Sequence, residues 1–107
     1  MTNTSRYTPP SEIATMTDLR AQIDRLDTEI VRLLAFRQAH IDRAAELKPG
    51  EGMPARIEAR VHAVLDNVEA KAREAGFDPA LARGMWAEMI EAMIAREEAV
   101  IGTGEEE

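Results

Sequence analysis

The longest hydrophobic pattern in the chain runs over residues 17–48, which contain neither Pro nor Gly and so no residue that must break a helix. Apolar side chains recur there at alternating spacings of four and three residues, the period of one face of an α-helix. They form a seam that consists of Leu19, Ile23, Leu26, Ile30 and Leu33. The pattern predicts one helix of about 48 Å, packed along this seam against partner helices.

Two more helices are predicted after it. The second covers residues 54–75, with Gly76 as a left-handed cap, and the third covers residues 79–101, with Asp78 as its cap and Pro79 in its first turn. Their apolar faces hold Ile57, Val61, Val64 and Val68, and Ala82, Trp86, Met89, Ile90, Met93 and Val100. β-Branched residues are few and never alternate, so the subunit is predicted to be all-α with three helices.

A single helical domain with two tails is the predicted organisation. Residues 1–14 are polar, contain Pro9 and Pro10, lack the apolar core of a signal peptide and are expected to form a flexible tail. Residues 15–101 form the domain, and residues 102–107 form an acidic tail. A small monomer cannot bury the seam of so long a helix, so an oligomer is expected.

Cations interrupt the seam in the second half of the first helix. The positions that continue it are Arg37, Ile41, Ala44 and Lys48, so two charges stand where apolar residues are expected. Burying a charge is costly unless an anion meets it. Either both side chains reach solvent or pair with a carboxylate of another helix, or they bind an anionic ligand. Arg37 and Lys48 lie roughly 16 Å apart along the helix, so one small anion could touch both.

Three further side chains are candidates for the same site. Arg60 lies beside the stripe of the second helix, and Arg20 lies one residue off the seam. Arg20 is about 42 Å from Lys48 along a straight helix, so it could only serve a second copy of the site, in a partner chain. Glu97 lies on the apolar face of the third helix. It either forms a salt bridge to one of these cations or, if burial keeps it protonated, donates a hydrogen bond to a ligand.

Composition narrows the possible functions. The formal charge of −7 argues against nucleic acid and anionic membranes as partners, and no apolar run approaches the ~20 residues of a membrane-spanning helix. The chain has no Cys, which excludes disulfides and thiol chemistry and is compatible with the cytoplasm. His40 and His62 lack metal-ligand spacing, so no metal or cofactor is expected. Cations and one carboxyl, without a nucleophile, favour binding and electrostatic stabilisation over covalent catalysis.

The segment LRAQIDRLDTEIVRLLAFRQ, followed by Lys48 and by Arg60 on the next helix, resembles the all-helical chorismate mutases. The resemblance extends over residues 17–101. It implies an intertwined, domain-swapped homodimer whose long first helices span both active sites. It also implies that Arg20, from the partner chain, Arg37 and Arg60 hold the two carboxylates of the substrate. Lys48 and Glu97 would face its ether oxygen.

The reaction implied by the resemblance is the pericyclic rearrangement of chorismate to prephenate, in the cytoplasmic biosynthesis of aromatic amino acids. Because it is pericyclic, it needs no acid, base or nucleophile. The protein would hold the dianion in a compact conformer and stabilise charge on the oxygen of the breaking bond. A Glu at position 97, where many bacterial members have Gln, predicts that activity falls as Glu97 ionises.

Three departures from the family pattern leave the substrate open. Val61 stands where many members have a Glu that contacts the ring hydroxyl, Ile57 replaces an Asp, and Met93 replaces a small polar residue. The sister activity, isochorismate-pyruvate lyase, uses the same scaffold and cations to make salicylate. The alternatives are therefore this lyase, or a non-catalytic helical dimer on the same scaffold.

Overall fold

The computed structural model describes residues 6–102, and in this range it is all-helical, as predicted. The three helices are α1 (Met16–Leu47), α2 (Glu58–Ala75) and α3 (Pro79–Ile101), with short 3-10 turns at Pro10–Glu12 and Pro49–Glu51. No residue in this range belongs to a β-strand. Residues 1–5 and 103–107, which belong to the two predicted tails, lie outside the described residues.

The chain divides into two compact units, Met1–Arg37 and Gln38–Glu107. Helix α1 is continuous through the boundary between them. The first unit contains the N-terminal segment and most of α1. The second contains the end of α1, the connecting loop, α2 and α3, and in it α2 and α3 pack against each other.

The core of the second unit is small and aliphatic. Ala55, Ile90 and Ile94 are its buried members, and side chains that are partly buried surround them. The surrounding side chains are Val61, Val64, Leu65, Trp86 and Ile101. Removal of these apolar groups from water is the main force that holds α2 and α3 together.

The ends of the helices follow local sequence signals in most places. Thr15 accepts the backbone N–H of Asp18 at 3.1 Å and so caps α1. Gly76 ends α2 in a left-handed conformation, with φ of 83°. Asp78 caps α3 as predicted, because its carboxylate accepts the backbone N–H groups of Ala80 and Leu81 at 3.0 and 3.2 Å.

The predicted start of α2 at Pro54 is wrong, since the helix begins at Glu58. Ile57 precedes it in an extended conformation, with φ of −126° and ψ of 104°. The reason is tertiary: Ala55 is buried in the core, and its carbonyl oxygen accepts a hydrogen bond from the Lys48 side chain. If residues 54–57 were helical, the Ala55 carbonyl would point along the helix axis and away from the Lys48 side chain.

The predicted seam of α1 is largely uncovered in its first half. Ile23, Ile30 and Leu33 are exposed by 46, 51 and 68%, whereas Leu19 and Leu26 are half-buried. Exposed apolar side chains that recur along one helix are typical of a surface that binds another chain. None of the helices in residues 6–102 combines the length and the apolar character that are needed to cross a bilayer.

Candidate active site

Lys48 is the centre of the polar cluster in the second unit. Its ammonium group donates to a carboxylate oxygen, Oε1 of Glu97, at 2.7 Å and to the backbone carbonyl of Ala55 at 2.8 Å. The side chain is 18% exposed. An ammonium group has three N–H donors, and these two contacts account for two of them.

Glu97 is a buried charged residue, with 4% of its surface exposed. It lies on α3 one turn after Ile94, so the core side chains that anchor the helix also fix the position of the carboxyl. Burying a carboxyl is unfavourable without a partner, and the Lys48 ammonium supplies one. Oε1 accepts from the Lys48 ammonium group, and the Glu97 side chain is 5% exposed.

The loop between α1 and α2 folds around Lys48. The carbonyl of Lys48 accepts the backbone N–H groups of Glu51 and Met53 at 3.0 and 2.9 Å. Gly52 allows the chain to reverse there, because its φ of 70° is a left-handed conformation that other residues rarely adopt. The reversal brings Ala55 back to the Lys48 side chain, so one residue organises the loop through both its backbone and its ammonium group.

Two ion pairs tie this loop and the end of α1 to α3. Arg96, next to Glu97 in sequence, binds both carboxylate oxygens of Asp42 at 2.6 and 3.1 Å. Arg56 binds Glu91 in the same two-pronged manner. The hydrogen bond from Arg96 lowers the pKa of Asp42, and the hydrogen bond from Arg56 lowers the pKa of Glu91. The backbone that carries Lys48 is thus tied to the helix that carries Glu97.

The structure brings two of the five predicted site residues into direct contact, Lys48 and Glu97. Of the two interpretations of Glu97, the salt bridge is therefore present. Arg60 belongs to the same unit and is exposed in the first turn of α2. Arg20 and Arg37 belong to the first unit, where Arg20 is exposed and Arg37 is half-buried.

Sequence reasoning missed the Ala55 carbonyl and the two arginines that brace the loop, Arg56 and Arg96. A backbone acceptor has no signature in the sequence, because every residue carries one. The arginines could have been found only by knowing which carboxylates of other elements lie opposite them. Within residues 6–102, no group of three His, Cys, Asp or Glu side chains has the arrangement that a metal ion needs.

Comparison with known proteins identifies relatives over most of the chain. Residues 19–98 match the family model described as chorismate mutase type II. The chain is also 33% identical over 89 residues to an isochorismate pyruvate lyase of Pseudomonas aeruginosa, a similarity that covers 82% of this chain and 86% of that protein. All five predicted site residues lie inside the range that the family model matches.

Proposed function

Because the chain belongs to the type II chorismate mutase family, we propose that it is a chorismate mutase, which rearranges chorismate to prephenate in the cytoplasm for aromatic amino acid biosynthesis. The observation that carries the proposal is the buried Lys48–Glu97 pair. In this proposal the third N–H of the ammonium group and the second carboxyl oxygen face the substrate side by side. That is what a reaction needs when its only demand is stabilisation of a developing charge.

In this proposal Lys48 and Glu97 both donate hydrogen bonds to the ether oxygen of the substrate. The third N–H of Lys48 donates to the ether oxygen, on which negative charge grows as the C–O bond breaks. Oε2 of Glu97, when protonated, donates a second hydrogen bond to the same oxygen. The hydrogen bonds to Oε1 of Glu97 and to the Ala55 carbonyl restrict the ammonium group to one orientation, so little reorganisation is needed as the charge develops.

Arginines hold the rest of the substrate. Arg37 and Arg60 bind its carboxylates together with Arg20 of a second chain, because guanidinium groups match the two-pronged geometry of carboxylates. Fixing both carboxylates favours the compact conformer in which the bond-forming carbons meet, and this positioning supplies a large part of the rate enhancement.

The active form in this proposal is an intertwined homodimer. The exposed apolar stripe at Ile23, Ile30 and Leu33 supports it, since a partner chain would remove this surface from water. Arg20, exposed on the same part of α1, would then lie beside the partner's Lys48.

A second candidate function is isochorismate-pyruvate lyase. The P. aeruginosa relative carries that name, and the apolar residues Ile57, Val61 and Met93 stand where many mutases have polar groups for the ring hydroxyl. Val61 packs against the aliphatic core of the second unit, so it offers the substrate no polar contact at this point.

Separate incubation of the protein with chorismate and with isochorismate, followed by chromatography of the products, tests the proposal. Prephenate from chorismate is the expected result. Salicylate and pyruvate from isochorismate, without prephenate from chorismate, would establish the lyase instead. Absence of turnover with both isomers would contradict both enzymatic functions and favour a non-catalytic helical dimer.

A further inference from the structure

The N-terminal segment of the chain is joined to α1 by several polar contacts. We call residues 6–13 the strap. The guanidinium of Arg6 and the hydroxyl of Tyr7 both donate to the carboxylate of Glu29. The guanidinium of Arg25 lies 4.9 Å from the centre of the Tyr7 ring, within the range of a cation–π contact. These contacts involve successive turns of α1, so the strap lies along the helix.

Gln22 fixes the register between strap and helix. Its side-chain Nε2 donates to the carbonyl of Thr8 at 2.8 Å, and its Oε1 accepts the N–H of Thr8 at 3.0 Å. One side-chain amide thus satisfies both backbone groups of one residue, as a neighbouring β-strand would. A Glu side chain at position 22 would have no hydrogen-bond donor, and an Ala side chain would have neither a donor nor an acceptor. Pro9 and Pro10 follow directly and reduce the conformational freedom that the segment loses when it binds.

Helical geometry shows which face the strap covers. At 100° per residue, Gln22 and Glu29 lie about 20° apart, whereas Arg20 lies about 160° from Gln22, on the opposite side of the helix. The apolar side chains of Ile23 and Ile30 lie between these two sides, about 100° and 80° from Gln22. The strap therefore leaves Ile23, Ile30 and Arg20 exposed, whereas Leu26, about 40° from Gln22, lines a pocket together with Tyr7 and Pro9 of the strap.

Among the described residues of the first unit, the strap is the segment that packs against α1. We propose that the strap is a positioning element for Arg20: it holds the first part of α1 helical and in register before and during binding of a carboxylate by Arg20. This inference rests on the proposed function, because it assigns Arg20 to a substrate carboxylate. Arg20 lies only two residues from Gln22, so unwinding of this turn would displace the guanidinium.

The test combines Gln22→Ala with a readout of α1 itself. Amide hydrogen exchange of residues 18–30 should become about fivefold to tenfold faster in this variant, the effect of losing one or two net hydrogen bonds. Exchange in α3 should not change. Arg43→Ala is the matched control, because it removes an exposed pair with Glu46 from the same helix outside the strap. Unchanged exchange over residues 18–30 in Gln22→Ala would overturn the proposal.

A kinetic cycle shows whether the strap acts through Arg20. Gln22→Ala should raise KM for the substrate about threefold to tenfold with little change in kcat, since Arg20 holds a carboxylate that is bound in both the ground and the transition state. In an Arg20→Ala background the same change should alter KM less than about twofold. Equal effects in both backgrounds would overturn the positioning role, because general destabilisation is independent of Arg20.

The failures of the two proposals are distinguishable. If the protein turns over neither isomer, the proposed function fails, and the exchange measurement alone decides whether the strap holds α1. If the protein is active and exchange responds to Gln22→Ala but KM does not, the proposed function stands and the positioning of Arg20 is wrong.

Discussion

Lys48 and Glu97 stabilise each other's charge, because both side chains are largely removed from water where they meet. Lys48→Ala leaves a buried carboxyl without its cation, and breaking a buried pair in this way typically costs about 3–5 kcal/mol. The same change removes a donor to the ether oxygen, so kcat/KM for chorismate should fall about 10²–10³-fold. Urea unfolding and steady-state kinetics on the same preparation measure both effects.

Arg56→Ala is the control for this prediction. It also breaks an ion pair between the loop and α3, but the pair with Glu91 is exposed and lies outside the proposed site. Exposed pairs typically contribute at most about 1 kcal/mol, so Arg56→Ala should lower the free energy of unfolding, and kcat/KM, much less than Lys48→Ala does. A Lys48→Ala variant that behaved like Arg56→Ala would contradict the role given to the buried pair.

Glu97→Gln separates the charge of this side chain from its hydrogen bonds. The amide oxygen can still accept from Lys48, and the NH₂ group can donate to the ether oxygen at any pH. We expect kcat/KM of Glu97→Gln for chorismate to equal or exceed that of the unmodified protein in steady-state assays, because the amide keeps both hydrogen bonds and places no negative charge beside the ether oxygen. A clearly lower kcat/KM for Glu97→Gln would show that the carboxylate charge, and not a hydrogen-bond donor, is needed at this position.

The sequence singled out Lys48 and Glu97 as candidate site residues, but it did not predict every group that contacts them. Lys48 and Glu97 were predictable because each breaks an apolar face, and a charge at such a position needs a reason. Their contact was one of two interpretations, since the sequence does not specify which groups of α1 and α3 lie opposite each other. The Ala55 carbonyl was not predictable, because its role depends on where the loop returns.

At the level of the helices, Asp78 carries the clearest local prediction. Its carboxylate accepts two N–H groups that the first turn of α3 cannot satisfy by itself. Asp78→Ala should lower the free energy of unfolding by about 1 kcal/mol, measured by urea denaturation. Asp78→Asn, which keeps an acceptor oxygen, should be close to neutral. Equal losses in the two variants would mean that the negative charge, and not the cap, stabilises α3.

The ion pair between Asp42 and Arg96 predicts how stability responds to acid. The hydrogen bond from Arg96 holds the pKa of Asp42 below its ordinary value of 3.8. The folded state therefore binds this proton less readily than the unfolded state, so the pair stabilises the fold above that value. Its contribution is lost as the pH falls through the lowered pKa of the folded state.

Thermal unfolding at a series of pH values between about 6 and 3 checks this prediction. The melting temperature of the unmodified protein should fall towards the acid end of the series, and that of Asp42→Asn should fall less. The two curves should converge once Asp42 is protonated. Parallel curves would show that the pair with Arg96 does not contribute to folding.

Helix boundaries were predictable where the signals are local. Gly76, Asp78 and Pro79 act within one turn of the chain, and the structure has α2 ending and α3 beginning where they indicate. Pro54 is an equally good first-turn residue, yet α2 begins at Glu58. Burial of Ala55 with Ile90 and Ile94 and its contact with Lys48 prevail there over the local preference, and the burial depends on residues that are distant in the sequence.

At the level of the whole molecule, the apolar stripe on α1 determines the expected assembly. A helix with Ile23, Ile30 and Leu33 exposed gains stability when another chain covers them. The sequence predicted both the stripe and the need for a partner, because its period is regular and the chain is small. The homodimer stays a proposal. It requires that Arg20 of one chain contribute to the active site of the partner chain, which a single chain cannot do.

Mixing two variants that each lack one arginine of the proposed site tests this requirement most directly. Arg20→Ala and Arg37→Ala chains are unfolded together, refolded at a ratio of one to one and assayed with chorismate. Half of the dimers should be mixed and each should contain one complete site, so about a quarter of the unmodified activity should return. If native mass spectrometry finds the mixed dimers but activity does not rise above that of the separate variants, the shared site is contradicted.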